Sequence, residues 1–150
     1  MAYLAGTWHL ARVVADRRAG RDYRMVGTAW YTPTLDGLHY TERVRWTAPD
    51  GRPLDGHRCY RLIATGPWSA ELRFADGRYF HALDLHTGAA EVAHTCPPDR
   101  YAGWYALAGP EAHRTGWTVT GPRKALTIVS TYTRQRHAAE NRSARGASLE

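Results

Sequence analysis

Ten short segments rich in Trp, Tyr, Val, Thr and Leu recur along the chain, separated by Gly, Pro and Asp turn signals. This spacing, and the near absence of helical periodicity, are typical of antiparallel all-β structure. The predicted strands cover residues 7–15, 22–32, 37–47, 56–65, 68–75, 78–85, 90–96, 101–108, 115–120 and 124–135. Because closure removes exposed sheet edges, we expect a single up-and-down antiparallel β-barrel, with a β-sandwich as the alternative. Asp76-Gly77 predicts a two-residue hairpin turn.

The length of 150 residues fits one domain. We expect the barrel to cover residues 1–135 and a disordered tail with a cloning remnant to cover residues 136–150, which are small and polar. No apolar run is long enough for a membrane span, and the first residues lack the pattern of a secretory signal. Cys59 and Cys96 are too few for a disulfide framework, so the sequence predicts a reduced, cytoplasmic protein.

The charge pattern bears on possible partners. Twenty Lys and Arg residues against 14 Asp and Glu residues give a formal net charge of +6, but the positive residues are dispersed. Most aromatic residues fall on the inward period of the strands, whereas a nucleic-acid surface needs exposed aromatics beside a basic groove. We therefore expect neither a nucleic-acid nor a membrane partner. The oligomeric state is left open, with a dimer as one option.

Strand alternation places charged side chains on apolar faces. Glu42 shares a face with Tyr40, Val44 and Trp46, and Arg12 lies on the apolar face of the first strand. An unpaired buried charge is costly, so Arg12 and Glu42 should pair with each other or with a ligand. Two interpretations stay open: a structural ion pair, and the polar wall of a ligand cavity.

Gly6-Thr7-Trp8 resembles the G-x-W motif that opens the first strand of lipocalins and related calycin barrels. In that superfamily an Arg from the last strand packs across the Trp and closes the barrel. Arg134 is placed to do so here. The resemblance thus implies a calycin-like barrel closed by a Trp8–Arg134 pair.

Further motifs run through nearly the whole chain. They are Arg12 and Asp16 after the G-x-W start, Tyr40-Thr41-Glu42, Phe74 to His81, His94 to Tyr101, Gly121 to Lys124, and Tyr132-Thr133-Arg134. In this combination the chain resembles a family of small proteins filed as a domain of unknown function, number six-three-one-four. The resemblance implies a calycin-like barrel and a set of polar residues, without implying a reaction.

The function predicted from this set is binding of a small organic molecule with a polar or anionic group inside the barrel. Aromatic side chains would surround the ligand, and Arg12, Arg78 and Lys124 would contact its acidic end. The candidate ligand-binding residues are Arg12, Tyr40, Glu42, Trp46, Arg78, Phe80, His81, Lys124 and Tyr132.

The alternative function is a cofactor-independent acid–base enzyme (an isomerase, cyclase or lyase) that uses the same cavity. Glu42 would be the acid–base group, His81 or His94 its partner, and Tyr132 a hydrogen-bond donor. In a low-dielectric cavity the pKa of Glu42 should rise unless a cation such as Arg12 or Lys124 holds it ionised. A barrel with a filled interior and a purely structural or partner-binding role is a third hypothesis.

Cofactor signals are weak. His94-x-Cys96 offers two zinc ligands on one strand face without a second ligand pair, and the last strand carries no His that could hold haem. No metal site and no bound cofactor are therefore predicted. His113 precedes the predicted ninth strand and is assigned no role. The pattern of residues 78–85 leaves open which face of that strand points inward.

Overall fold

The computed structural model describes residues 1–136, which form an all-β, nearly closed barrel of ten antiparallel up-and-down strands. The strands are β1 Gly6–Asp16, β2 Arg21–Pro33, β3 Gly37–Thr47, β4 Pro53–Ala64, β5 Ser69–Phe74, β6 Tyr79–Asp84, β7 Ala89–Cys96, β8 Asp99–Leu107, β9 Ala112–Gly121 and β10 Lys124–Arg134. Each predicted segment overlaps one of these strands, so the predicted fold class is confirmed. The tail predicted over residues 136–150 lies, apart from Arg136, outside the described residues.

The strands follow the order β6-β5-β4-β3-β2-β1-β10-β9-β8-β7, so β1 and β10 pair and leave β6 and β7 as the two ends of the sheet. Within residues 1–136, β6 and β7 lie side by side without a backbone ladder. One side chain bridges this seam: His94 Nδ1 lies 3.0 Å from the Phe80 carbonyl oxygen, to which its N–H donates. The seam therefore depends on side-chain contacts rather than on a strand pair.

One end of the barrel is closed by Trp8 and Arg134, as the resemblance implied. The Arg134 guanidinium lies 4.2 Å from the centre of the fully buried Trp8 ring. It also donates to the carbonyl oxygens of Ala5 and Tyr3, each at 2.7 Å. Trp8 Nε1 donates in turn to the Leu4 carbonyl at 2.9 Å, which fixes the 3₁₀ turn Ala2–Leu4 beneath the barrel. No helix among the described residues is long and apolar enough to cross a membrane.

The β5–β6 hairpin differs from its prediction. Phe74 N–H donates to the Arg78 carbonyl and Gly77 N–H donates to the Phe74 carbonyl, each at 2.9 Å. The loop therefore contains residues 75–77, with Gly77 at φ +86°, rather than Asp76-Gly77 alone. In a three-residue loop of this kind, only the Gly position needs a left-handed conformation.

A register shift in the β5–β6 pair lies between Leu72 and Arg73. Such an irregularity interrupts strict alternation. Opposite it, Phe80 and His81 are both buried although they are neighbours, and Leu83 follows His81 on the inward face. The open question about the face of this strand is thereby answered: His81 and Leu83 point inward, and Phe80 is buried as well.

Candidate ligand cavity

A cavity of about 530 Å³ occupies the barrel interior. Leucines line it toward the closed end, and Arg78, Tyr79, Cys96 and Pro97 line its mouth at the β5–β6 and β7–β8 hairpins. The aromatic lining consists of Tyr31, Tyr40, Tyr60, Phe74, Tyr79, Phe80, Tyr101, Tyr105, Trp117 and Tyr132. This size and composition are typical of sites for small organic molecules.

Four of the lining rings form a row of nearly parallel planes. The ring centres of Tyr40 and Tyr60 are 5.9 Å apart, with an angle of 24° between the ring planes. The corresponding values are 5.4 Å and 18° for Tyr60 and Phe80, and 5.3 Å and 16° for Phe80 and Trp117. Trp117 lies flat against Gly103, where an added Cβ would be 2.7 Å from the indole. This offset stack of Tyr40, Tyr60, Phe80 and Trp117 forms one aromatic wall of the cavity.

Arg12 and Glu42 form a buried bidentate pair in this cavity. Arg12 Nη1 and Nη2 donate to the two Glu42 carboxylate oxygens at 2.6 and 2.7 Å, and Arg12 Nε donates to Ser130 Oγ at 2.7 Å. The side chains are only 7% and 3% exposed. The contact predicted from strand alternation is therefore present, and together with the Ser130 bond it engages all three side-chain nitrogens of Arg12.

This pair determines the ionisation of Glu42. Burial alone would raise the pKa of Glu42, but hydrogen bonding and charge from Arg12, with a smaller effect of Arg58, lower it below its ordinary value. For Arg12, the same pair outweighs burial and raises its pKa. Arg12 is thus the cation that holds Glu42 ionised, and the group is unsuited to take up a proton near neutral pH.

Tyrosine hydroxyls extend the polar network. Tyr40 donates to Glu42 Oε2, and the Tyr132 hydroxyl lies 3.1 Å from that of Tyr40. Burial, together with the nearby Tyr132 and Glu42, raises the pKa of Tyr40 well above its ordinary value. The hydroxyl is therefore protonated, and it connects Glu42 and Tyr132 in one chain of hydrogen bonds.

His113 belongs to the core, contrary to its predicted place outside the strands. β9 begins at Ala112, earlier than predicted, so alternation turns His113 inward, where it is 2% exposed. Its ring stacks on that of Tyr132, with the ring centres 4.2 Å apart and an angle of 9° between the planes. Its Nε2 lies 3.4 Å from the Tyr31 hydroxyl oxygen. Burial, aided by the charge of Arg134, lowers the pKa of His113 to about 3. The imidazole is neutral at physiological pH.

The two histidines predicted as catalytic partners, His81 and His94, lie apart from the network of Glu42, Tyr40 and Tyr132. His81 is buried behind the lining, with Nε2 at 3.2 Å from the Tyr105 hydroxyl, and burial lowers its pKa. His94 lines the mouth, but its Nδ1 bridges the seam to Phe80. Hydrogen bonds therefore connect Glu42 with Tyr132, but connect neither of them with His81 or His94 within the described residues.

Besides His81, three predicted ligand-binding residues lie outside the cavity or at its mouth. Lys124 lies outside, because it begins β10 and its Nζ pairs with Asp99 at 2.8 Å. Trp46 also lies outside, near the end of β3, packed against Gly56. Arg78 lines the mouth with its side chain 78% exposed and its Nε 2.7 Å from Asp76. Alternation correctly gives a face, but it gives no height along the barrel axis, which is why Lys124 and Trp46 were misplaced.

Arg58 is a lining residue that sequence reasoning missed. It faces inward with Tyr60 and Leu62, and lies opposite Glu42 in the β3–β4 register. The β4–β5 pairing ends at Tyr60, so Arg58 lies beyond the last paired residue and its side chain is exposed to the open part of the cavity. Its guanidinium makes no hydrogen bond or ion pair with any of residues 1–136. The alternation that marked Arg12 also marks Arg58 in the predicted segment 56–65.

The model of a family described as "Family of unknown function (DUF6314)" matches residues 4–134. The chain belongs to this family. No curated protein matches it significantly.

Among solved structures, the S-type phycobiliprotein lyase CPES from Guillardia theta has a TM-score of 0.65 and 10% identity to this DUF6314 chain, covering 91% of it and 90% of the lyase. A de novo designed fluorescence-activating β-barrel has a TM-score of 0.42 and 18% identity, and the match covers 89% of this chain and 95% of the designed chain. The M. tuberculosis protein Rv2717c has a TM-score of 0.45 and 15% identity, with 90% and 94% covered. The similarity to the lyase shows a shared barrel fold.

The interior of this DUF6314 barrel carries an excess of positive charge. Among the described lining residues, the formally charged ones are Arg12, Glu42, Arg58 and Arg78. Arg12 and Glu42 compensate each other, and Arg78 is compensated by Asp76 at the mouth. Arg58 makes no ion pair with a carboxylate of residues 1–136. The cavity is therefore suited to attract an anion.

Proposed function

We propose that this DUF6314 protein binds a small organic molecule with a polar or anionic group inside its barrel. The observation that carries the proposal is the open cavity of about 530 Å³, with its aromatic wall and its fixed polar network. Aromatic rings supply apolar contact area, while a few oriented polar groups select the ligand and fix its orientation. A barrel with a filled interior would have no such space.

Binding is better supported than acid–base catalysis in the same cavity. The proposed general acid or base, Glu42, is held ionised by a bidentate contact with Arg12, and its pKa is lowered. An effective proton-transfer group needs a pKa near the working pH. His81 and His94 have hydrogen-bond partners of their own, away from Glu42.

We also propose a cytoplasmic location for the protein. Cys59 and Cys96 are both free thiols, which supports the cytoplasmic location predicted from the sequence. The barrel similarity to a phycobiliprotein lyase supports the architecture, and at 10% identity the ligand must be sought on this chain's own lining.

Native mass spectrometry of protein purified from its host, with an absorption spectrum of the same sample, tests this proposal. We expect a retained adduct, or binding of the neutral fluorescent probe N-phenylnaphthylamine to the empty protein. In the variant Val119→Trp, an indole would extend from a buried lining position into the cavity and abolish probe binding. The control Val13→Trp adds the same group on an exposed strand position. Unchanged probe binding in Val119→Trp, or no probe binding and no adduct in the parent protein, would refute the proposal.

A further inference from the structure

The interior charges and the aromatic wall together define a ligand class more narrowly, given the function proposed above. We propose that Arg58 anchors the acid group of a planar aromatic acid, such as an aryl carboxylate, sulfonate or phosphate. The rings of this ligand lie against Tyr60, Phe80 and Trp117. The acid group then lies on the β4 side of the cavity, and the rings extend along the aromatic wall.

Among the described residues, the other two cationic side chains that line the cavity, Arg12 and Arg78, already have carboxylate partners. Arg12 already directs two nitrogens at Glu42 and a third at Ser130, so an acid group there would have to break a buried pair. Arg78 is mostly exposed and is neutralised by Asp76. Of the arginines that line the cavity within the described residues, Arg58 is the one without a carboxylate partner.

Arg58 has the chemistry needed to bind an acid group. A guanidinium stays charged at all physiological pH values and presents a planar fork of donors that matches a carboxylate, sulfonate or phosphate. Arg58 lies beyond the end of the β4–β5 pairing, where the cavity is open and a ligand can reach it. Because no carboxylate of residues 1–136 pairs with Arg58, its donors are available to the acid group of a ligand.

Arg58 lies close enough to the aromatic row for one small ligand to contact both. Arg58 and Tyr60 occupy successive inward positions of β4, about 7 Å apart along the strand. Tyr60 is part of the aromatic row, and its hydroxyl makes no hydrogen bond within residues 1–136. The acid group should therefore be attached directly to the ring system or through a short link, and Tyr60 offers a second donor to it.

Two probes with the same ring skeleton separate charge recognition from ring binding. Anilinonaphthalene sulfonate carries an acid group on the ring, and N-phenylnaphthylamine lacks it. Probe fluorescence is titrated for the parent protein, for Arg58→Gln, and for the control Arg61→Gln. Arg61 is on the same strand, and its removal deletes the same charge from an exposed pair with Asp36. Near-ultraviolet circular dichroism checks that each variant keeps its folded packing.

We expect Arg58→Gln to weaken sulfonate binding by about tenfold or more, the range for loss of a charge-assisted hydrogen bond, and to change binding of the neutral amine less than about threefold. Arg61→Gln should change neither affinity. Arg58→Lys should restore only part of the sulfonate affinity, because the charge returns without the fork.

The outcomes distinguish the two proposals. Equal loss of both probes in Arg58→Gln, or no loss of the sulfonate, would overturn the role of Arg58 while leaving the ligand cavity intact. Failure of the parent protein to bind either probe would overturn both the cavity function and this inference. Selective loss of the sulfonate with retained amine binding supports both.

Discussion

Replacement of Glu42 by Gln should destabilise the barrel by about 3–5 kcal/mol, the usual cost of removing one partner from a buried ion pair. The substitution keeps the size of the side chain and removes its charge. Arg12 then faces an amide that offers one acceptor oxygen and turns an N–H₂ group toward the guanidinium. Both side chains are less than a tenth exposed, at 7% and 3%, so water cannot replace the lost charge.

The loss is large relative to the stability of a typical domain, about 5–15 kcal/mol. Urea unfolding followed by the fluorescence of the six Trp residues measures it. Asp55→Asn is the matched control, because it makes the same carboxylate-to-amide change in an exposed pair with Arg45, whose side chains are 70% and 72% exposed. An exposed pair of this kind contributes about 0–1 kcal/mol.

A double variant tests the cause. Arg12→Met with Glu42→Leu removes both charges together, and we expect it to be markedly more stable than Glu42→Gln, because no buried charge is left unpaired. The pKa of Glu42 is lower in the folded protein than its ordinary value of 4.5. The ion pair should therefore contribute its full stabilisation above pH 4.5 and lose it as the pH falls through the folded-state pKa. A loss below about 1 kcal/mol for Glu42→Gln at neutral pH would refute the reasoning.

Three further predictions follow from the core and the seam. His113 has a pKa of about 3 in the folded protein, whereas an unfolded His takes up a proton below about pH 6.5. The free energy of unfolding, measured in urea, should therefore decrease by up to about 1.4 kcal/mol for each pH unit below that value. His113→Phe should reduce this slope. Arg134→Gln should lower stability by about 2–3 kcal/mol in the same assay, since it removes the cation above Trp8 and charge-assisted bonds to carbonyls. His94→Ala should speed amide hydrogen exchange in the strand that contains Phe80, because it removes the bond across the seam.

Each of these has its contradicting result. An unchanged pH slope in His113→Phe would mean that His113 is protonated in the folded barrel. Arg134→Gln with the stability of the parent protein would mean that the Trp8 end is closed by apolar packing alone. Equal exchange acceleration in β1 and β6 of His94→Ala would indicate general loosening rather than an opened seam.

Much of the fold was predictable because its signals are local. Turn residues between short aromatic and β-branched segments locate the ten strands, and a period of two gives each side chain a face. That rule was enough to bring Arg12 and Glu42 to the same interior, and a resemblance in the G-x-W start was enough to place Arg134 over Trp8.

The composition of the cavity was less predictable because it depends on where strands start and stop. Alternation gives Lys124 an inward parity, yet its position at the first residue of β10 lets it pair with Asp99 outside the cavity. His113 was taken for a loop residue because β9 starts earlier than its apolar pattern. Arg58 was within reach of the same alternation rule, but its importance comes from the end of the β4–β5 pairing, which the sequence does not mark.

The interior charges Arg12, Glu42 and Arg58 lie on β1, β3 and β4, and we expect them to serve two different purposes, stability and ligand recognition. Arg12 and Glu42 are close-packed and mutually saturated, so changes to them should appear mainly in the free energy of unfolding. Arg58 is exposed to the cavity and has no carboxylate partner within residues 1–136, so its replacement removes no folded-state ion pair. Glu42→Gln should therefore shift the urea midpoint, whereas Arg58→Gln should leave it nearly unchanged and reduce the affinity for an aromatic acid. A barrel whose interior charges served the fold alone would show the first effect at both positions.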